Sequence, residues 1–438
     1  MIARSSPPGA AEVIVVGGGP AGATAARRLA IGGARVVVLD KAAFPRNKPC
    51  GGGISARALG RFPYLDDALS RISTHWLSRL HLEGPGGRSA LVTSGAPAAL
   101  MIRRVELDAQ LVRLAVDAGA SLVTGADIVR AREHSGAVEL TARDGRVFSA
   151  PLVIAADGVH SIVARRLGLN RGWPAGAVAL DMMEETPRTA LRDTDPSTLW
   201  VAYGYGGGET GGATPAPEGY AYIFPKRDHV NIGIGYVLDY YRRSVGDAPY
   251  DLQRRFVADL RARGVVSGES SRACFTPFLI PVGGPLPQTG RGRVVLAGDA
   301  GGFVNGFTAE GIYYAMVTGE LAARAALGHL ASGAPFAAGY RALWRREVGA
   351  ELRDSVLIQR YLFADRARIE AAIEGARRES AITRLVLEFA VGRRTYRSLR
   401  RAMLARSPAL AVRLLWAMLR GTPAAASPAP AAMSTAGS

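Results

Sequence analysis

Hydrophobic residues along this chain follow three different patterns. Val13–Val16, the core of Arg35-Val36-Val37-Val38-Leu39, the middle of Ala150–Gly158, and Val294-Val295-Leu296-Ala297 are apolar at every position. Such runs predict central strands of a parallel sheet, buried on both faces. Between residues 176 and 275 the pattern becomes one of alternation. Tyr220 to Lys226 predicts a strand with Tyr220, Tyr222 and Phe224 on one face, and Asn231-Ile232-Gly233-Ile234-Gly235 predicts the next strand. Beyond Gly328 the spacing turns helical and arginine-rich from Ala337 to about Arg420. Leu410–Leu419, with Trp416, is apolar nearly all round and is bracketed by Arg406, Arg413 and Arg420. It suits either an interfacial helix on anionic lipid or a packed terminal helix. Residues 421–438, rich in Ala, Pro and Ser, predict a disordered tail.

The first apolar run leads into Gly17-Gly18-Gly19-Pro20-Ala21-Gly22, then a helix-like stretch from Ala23 to Ala30, a second strand, and Asp40. This order of strand, G-x-G-x-x-G, helix, strand and acid is the dinucleotide-binding arrangement of a Rossmann-like fold. Gly17 permits the tight turn, Gly19 admits a pyrophosphate, and Gly22 lets helix and strand approach. The phosphates then meet the helix N-terminus, and Asp40 is placed to accept from ribose hydroxyls. Two further strand ends carry acids: Asp157, followed by Gly158, Ser161 and Arg165, and Asp299, followed by a glycine-rich loop and a long helix starting near Ala309. An uncapped helix N-terminus there can stabilise negative charge on a reduced isoalloxazine.

At 438 residues the chain is long enough for one large domain or two to three linked ones. Hydrophobic residues at 48% and charged residues at 21% predict a globular body. No window of about 18 uncharged apolar residues predicts a membrane span, and residues 1–11 lack the apolar run of a secretory signal. Two cysteines, Cys50 and Cys274, exclude a disulfide scaffold and a cysteine-based zinc cluster, so no metal site is predicted and a reducing, cytoplasmic setting is expected. The charge balance, 54 − 37 = +17, suits a nucleic acid, an anionic membrane or a phosphorylated substrate, or reflects base composition alone. No zinc-finger or RNA-recognition motif is present and aromatic residues are only 7%, which argues against nucleic acid.

Taken together, these segments resemble the FAD-dependent oxidoreductases built like para-hydroxybenzoate hydroxylase. Arg104-Val105-Glu106-Leu107-Asp108 is similar to that group's R-x-x-F-D. Three segments narrow the resemblance to the geranylgeranyl reductase family. Lys48-Pro49-Cys50-Gly51-Gly52-Gly53 resembles K-x-C-G-G-G. Gly298 to Ile312 resembles G-D-A-A-G-x-V-N-P-x-T-G-E-G-I, departing at Gly301, Gly306 and Ala309. Tyr220 to Lys226 resembles Y-x-W-x-F-P-K, with Tyr222 for Trp. The resemblance implies an α/β plus antiparallel-β protein. A Rossmann-like FAD-binding domain (1–60, 100–175 and 276–345) carries an inserted antiparallel-sheet substrate domain (61–99 and 176–275), followed by C-terminal helices (346–420).

It also implies reduction of isoprenoid double bonds, with NADPH or a ferredoxin as electron donor and possible peripheral contact with a membrane. The carrier of the chain would be a diphosphate, lipid, pigment or quinone. FAD contacts are expected from Gly17, Gly19, Pro20, Ala21, Gly22, Asp40, Lys41, Lys48, Arg104, Asp157, Asp299, Gly306, Ala309, Gly311 and Ile312. The catalytic loop would be Cys50, Gly51 and Gly52, with the thiol as proton donor or gate. The substrate wall would be Tyr220, Tyr222, Phe224 and Pro225. Cys274 is expected in the core, His229 in a turn, and Glu310 as a cap complementing the long helix's dipole. Two other readings stand beside this one. One is a flavin-dependent monooxygenase or halogenase of the same fold, although no W-x-W-x-I-P run is present. The other is a non-catalytic FAD-binding partner.

Overall fold

A computed structural model describes residues 11–205 and 217–406. The fully apolar runs form the centre of a six-stranded sheet. Its order is Gly290–Arg291, Val294–Leu296, Leu152–Ala155, Val13–Val16, Val36–Leu39 and Ser121–Val123. All neighbours are parallel except the terminal hairpin, and Val13 sits in register with both Leu152 and Val36. Helices Pro20–Ile31, Arg104–Asp117 and Ile312–Ser332 cover one face. The first and last of these touch so closely that a Cβ on Gly319 would lie 2.1 Å from the Ala21 carbonyl oxygen. The other face is covered by an antiparallel sheet of Ile128–His134, Ala137–Ala142 and Val147–Ala150, which the sequence reading did not separate. Pro151 divides the apolar stretch there, so Ala150 ends one sheet and Leu152 begins another.

The alternating region forms a seven-stranded sheet ordered Phe275–Ile280, Ala179–Pro187, His229–Val237, Gly219–Pro225, Thr198–Tyr203, Arg79–Glu83 and Ser89–Thr93. Only the pair Thr198–Tyr203 with Arg79–Glu83 is parallel. Period-two alternation sorts the side chains. Met182, Ile223 and Ile232 face helix Pro249–Ala262, whereas Met183, Val201, Tyr222 and Phe224 face the opposite way, toward the parallel-sheet domain. His229 opens its strand directly after the turn. Cys274 is half-buried in a short turn before the edge strand and is not a core residue, because an edge position leaves one side open to solvent.

Helices Phe336–Trp344, Ala350–Phe363, Arg366–Arg377, Ala381–Ala390 and Tyr396–Arg406 complete the described chain. Phe363, Ile369 and Ile373 pack on Ala90 and Val92, closing the far end of the inward sheet face. Arg57 ties this layer to the rest. It pairs with Glu351 at 2.6 Å and Glu310 at 3.1 Å, and its guanidinium lies 4.0 Å from the Tyr313 ring centre and 4.4 Å from that of Phe389. Among the described residues no helix is long and apolar enough to cross a membrane. The predicted Leu410–Leu419 helix and the C-terminal tail lie outside the described residues.

Candidate active site

Two cavities meet where the parallel sheet faces the seven-stranded sheet. The larger, of about 700 Å³, begins at Gly17, Gly19, Pro20 and Ala21. Gly17 has φ +96°, and a Cβ there would lie 2.4 Å from the Ala156 carbonyl oxygen, so only glycine fits the turn. Gly22 does not reach the cavity. Its Cβ would lie 1.8 Å from the Gly17 carbonyl oxygen, which makes it a packing glycine. Gly19 differs from both, because the nearest atom to a Cβ would be Arg46 Nη2 at 3.7 Å. The protein leaves that side of Gly19 open. Helix Pro20–Ile31 has no side-chain cap and no acid in its first turn, so its leading amides are free for an anion.

Asp40 and Lys41 line the next edge of this cavity. Asp40 Oδ2 accepts from the Gly18 N–H at 2.8 Å and Oδ1 from the Ala42 N–H at 2.9 Å, so the acid also fixes the glycine turn. Asp157 caps helix Ile162–Arg166: its Oδ2 accepts from the Ile162 N–H at 2.8 Å, while its buried Oδ1 has no partner. Burial raises its pKa. Arg104 opens its helix and holds Asp108 through two bonds, at 2.7 and 2.8 Å. Arg46 reaches the same carboxylate at 3.1 Å. Lys48 lies 4.8 Å from the Phe278 ring centre; burial and the nearby Arg104 lower its pKa, against the pull of Asp299.

Asp299, Ala309, Gly311 and Ile312 complete this cavity. The long helix begins at Ile312 rather than near Ala309, and no side chain caps it. The expectation for Glu310 is therefore corrected. Its carboxylate makes no bond to the helix amides, accepting instead from the Ser55 hydroxyl at 2.6 Å and from Arg57 at 3.1 Å. Ala309 holds φ +55°, a conformation that disfavours alanine by about 1–2 kcal/mol. The loop is pinned from several sides. Asn305 Oδ1 accepts from the Phe307 and Thr308 amides, the Tyr220 hydroxyl donates to the Thr308 carbonyl at 2.8 Å, and the Gly306 amide donates to Ser355 at 2.9 Å.

The smaller cavity, of about 320 Å³, is mostly apolar. Tyr220, Tyr222 and Phe224 line it, with ring centres 6.2 Å apart for the first pair and 4.4 Å for the second. Cys50, Gly51 and Gly52 face them. A Cβ on Gly51 would lie 2.7 Å from the Phe224 ring, and Gly52 has φ +77° with its Cβ position 2.1 Å from the Ile102 carbonyl oxygen. Gly306 lines this cavity rather than the larger one, and Pro225 lines neither, because it ends its strand paired with Val230. Cys50, Phe278, Ile280, Ala309, Gly311 and Ile312 belong to both linings. The Cys50 loop is anchored by Asn231 Nδ2, which donates to the Cys50 carbonyl at 3.0 Å.

Sequence reasoning missed Asp181. It lies on strand Ala179–Pro187, 5% exposed, on the same inward face as Met183, and it lines the smaller cavity. The Tyr222 hydroxyl donates to its Oδ2 at 3.0 Å, and its Oδ1 has no partner. Burial pushes its carboxyl pKa up to about 7. The signal in the sequence was weak, because Asp181 shares its inward face with Ala179 and Met183 but also with a second acid, Glu185.

The free helix ends, the open side of Gly19 and the unpartnered Asp157 oxygen fit a dinucleotide. Residues 10–224 match the family described as FAD binding domain. The chain is 34% identical to the menaquinone reductase of Mycobacterium tuberculosis, covering 69% of this chain and 73% of that protein. It is 31% identical to the digeranylgeranylglycerophospholipid reductase of Methanoculleus marisnigri, covering 72% and 76%. A crystal structure of a geranylgeranyl bacteriochlorophyll reductase-like protein from Thermoplasma acidophilum shares the fold. The TM-score is 0.67 at 20% identity, covering 93% of this chain and 99% of that one. With a dinucleotide turn, a second cavity against it and relatives of this kind, the chain belongs to the geranylgeranyl reductase family of FAD-dependent oxidoreductases.

Proposed function

We propose that this protein saturates carbon–carbon double bonds of an isoprenoid chain carried on an uncharged head group, such as a quinone or a neutral lipid, rather than on a diphosphate. The observation that carries the reading is an apolar, aromatic-walled cavity sharing one wall with the dinucleotide cavity. Among the described residues, no Lys, Arg or His lines the smaller cavity, whereas Asp181, Glu218 and Glu310 do. A diphosphate held there would be buried without a counter-charge. One relative's name points the same way, to a quinone, which carries no charge.

When bound and reduced, FAD supplies a hydride. An isolated alkene is not electrophilic, so a proton must reach one carbon as the hydride reaches the other. Tyr220, Tyr222 and Phe224 would hold the chain flat and exclude water from the developing cation. Cys50, with Gly51 and Gly52, would form the gate between chain and cofactor. Gly17, Gly19, Pro20 and Ala21 would receive the pyrophosphate, with Asp40 and Lys41 at the ribose edge. Lys48, Arg104, Asp157 and Asp299 would line the remainder of the cofactor path, and Ala309, Gly311 and Ile312 would lie at its end nearest the chain. Electrons would enter from NADPH or a ferredoxin; the sequence holds no second Rossmann motif of apolar strand, glycine turn and helix, so NADPH would dock transiently. The net charge of +17 supports docking on an anionic membrane surface, where such carriers reside.

The test is anaerobic reduction of the bound flavin, followed by reoxidation with prenyl diphosphates, prenylated glycerolipids and menaquinones. Products are weighed by mass spectrometry. Gains of two hydrogens on a lipid or quinone are expected. Reduction of diphosphates alone would refute the head-group assignment, and oxygen uptake with substrate hydroxylation would refute the reductase reading.

A further inference from the structure

Resting on the reductase reading above, we propose that Asp181 is the proton donor to the double bond, with Tyr222 as its positioning residue. The geometry is built across three strands. Tyr222 lies opposite Gly233, and Asp181 opposite Gly235, on the strand between them. A Cβ on Gly233 would lie 2.5 Å from the Tyr222 hydroxyl and ring, so glycine there is what lets the ring cross the intervening strand to reach Asp181. A Cβ on Gly235 would sit 3.5 Å from Asp181 Oδ1, so glycine keeps the space beside that oxygen clear. Gly235, Asp181 and Tyr222 all line the smaller cavity. One carboxyl oxygen is thus held by a hydroxyl, and the other is buried, unpartnered and beside the space a substrate chain would occupy.

Burial raises the pKa of this carboxyl to about 7, so a large share of it carries a proton at neutral pH. The groups facing it are Tyr222, whose bond favours the charged form, Lys48 from the glycine-rich loop, which does the same, and Tyr220. The flanking strands contribute Gly235 and Phe278, which do not titrate. The step balances. The Asp181 O–H bond breaks as a C–H bond forms at one alkene carbon. The other carbon takes the hydride from the reduced flavin, and the alkene gains the two electrons the flavin loses. Asp181 is left as a carboxylate stabilised by the Tyr222 O–H, and it regains its proton from water between turnovers.

Four measurements on the holoprotein test this. In single-turnover reoxidation by a prenylated carrier, the wild-type rate should fall as pH rises through about 7, where the acid loses its proton. Asp181→Asn should retain flavin and lose about 10²- to 10⁴-fold in rate. Tyr222→Phe removes the bond that favours the carboxylate, so its limb should move to higher pH, a shift that a role in packing alone would not produce. Independently of turnover, infrared spectra of the oxidised protein should show a carboxylic C=O band that titrates near pH 7 and is missing in Asp181→Asn. An active wild type with Asp181→Asn at full rate, an unmoved limb in Tyr222→Phe, or no titrating band overturns the assignment of Asp181 while the reductase reading stands. A wild type that reduces no prenylated carrier overturns that reading, and this inference with it. If Asp181→Asn does not fold, the Tyr222→Phe limb and the wild-type band decide.

Discussion

Gly19→Ala and Gly22→Ala add the same methyl group to one glycine-rich turn, with different expected consequences. At position 22 the new Cβ would lie 1.8 Å from the Gly17 carbonyl oxygen, more than 1 Å inside any tolerable contact, and the neighbour is backbone. The helix must move off the sheet, at about 3 kcal/mol, the upper end for overpacking. At position 19 the backbone already sits at φ −72°, which alanine adopts freely, and the nearest atom is 3.7 Å away. The folding cost is that of alanine at a helix cap, about 1 kcal/mol or less. If a phosphate occupies the open side of Gly19, the methyl group displaces it and removes a charge-assisted hydrogen bond, about 1.5–3 kcal/mol. FAD should then bind about ten- to hundredfold more weakly. Urea unfolding of the apoprotein and fluorescence titration with FAD measure the two effects separately. A Gly19→Ala variant that binds FAD as tightly as the wild type would refute the placement of the pyrophosphate at this turn.

Other perturbations probe other parts of the molecule. Arg57→Met leaves Glu310 and Glu351 without their shared cation, and urea unfolding should show a loss of about 3–5 kcal/mol. Asp181 should also make stability depend on pH. Between the ordinary carboxyl range near 4 and its folded value of about 7, the native protein holds a proton that the unfolded chain has released. This group's contribution, roughly 4 kcal/mol, is complete below pH 4 and is lost as pH rises through about 7. Asp181→Asn should remove that component from a series of unfolding midpoints. Gly233→Ala drives a methyl group into the Tyr222 ring and should slow reduction of a prenylated carrier while leaving the FAD titration unchanged.

The central strands were legible because residues buried on both faces must be apolar at every position, as in Val13–Val16 and Leu152–Ala155. Gly17 and Gly22 were legible because the turn admits no other residue type there. The Ile128–Ala150 sheet was not separated, because Pro151 is a single residue inside one apolar stretch. Glu310 misled because an acid near a helix start resembles a cap; its true partners, Ser55 and Arg57, are some 250 positions away in sequence. Gly306 was grouped with the cofactor residues through the family motif, but of this loop Val304 and Ala309 line that cavity while Gly306 lines only the smaller one. Asp181 is one acid in a strand of mixed character, and only the fold brings Tyr222 to it across a glycine-lined strand.

Six residues, among them Cys50, Phe278 and Ala309, form the common boundary of the two cavities, and on the proposed function this shared wall is where a long polyprenyl tail would meet the cofactor. Only one alkene at a time would then present itself there. A carrier with several unsaturations must therefore slip lengthwise between successive hydrogenations. The number of bonds saturated per encounter is then set by the competition between reptation and escape.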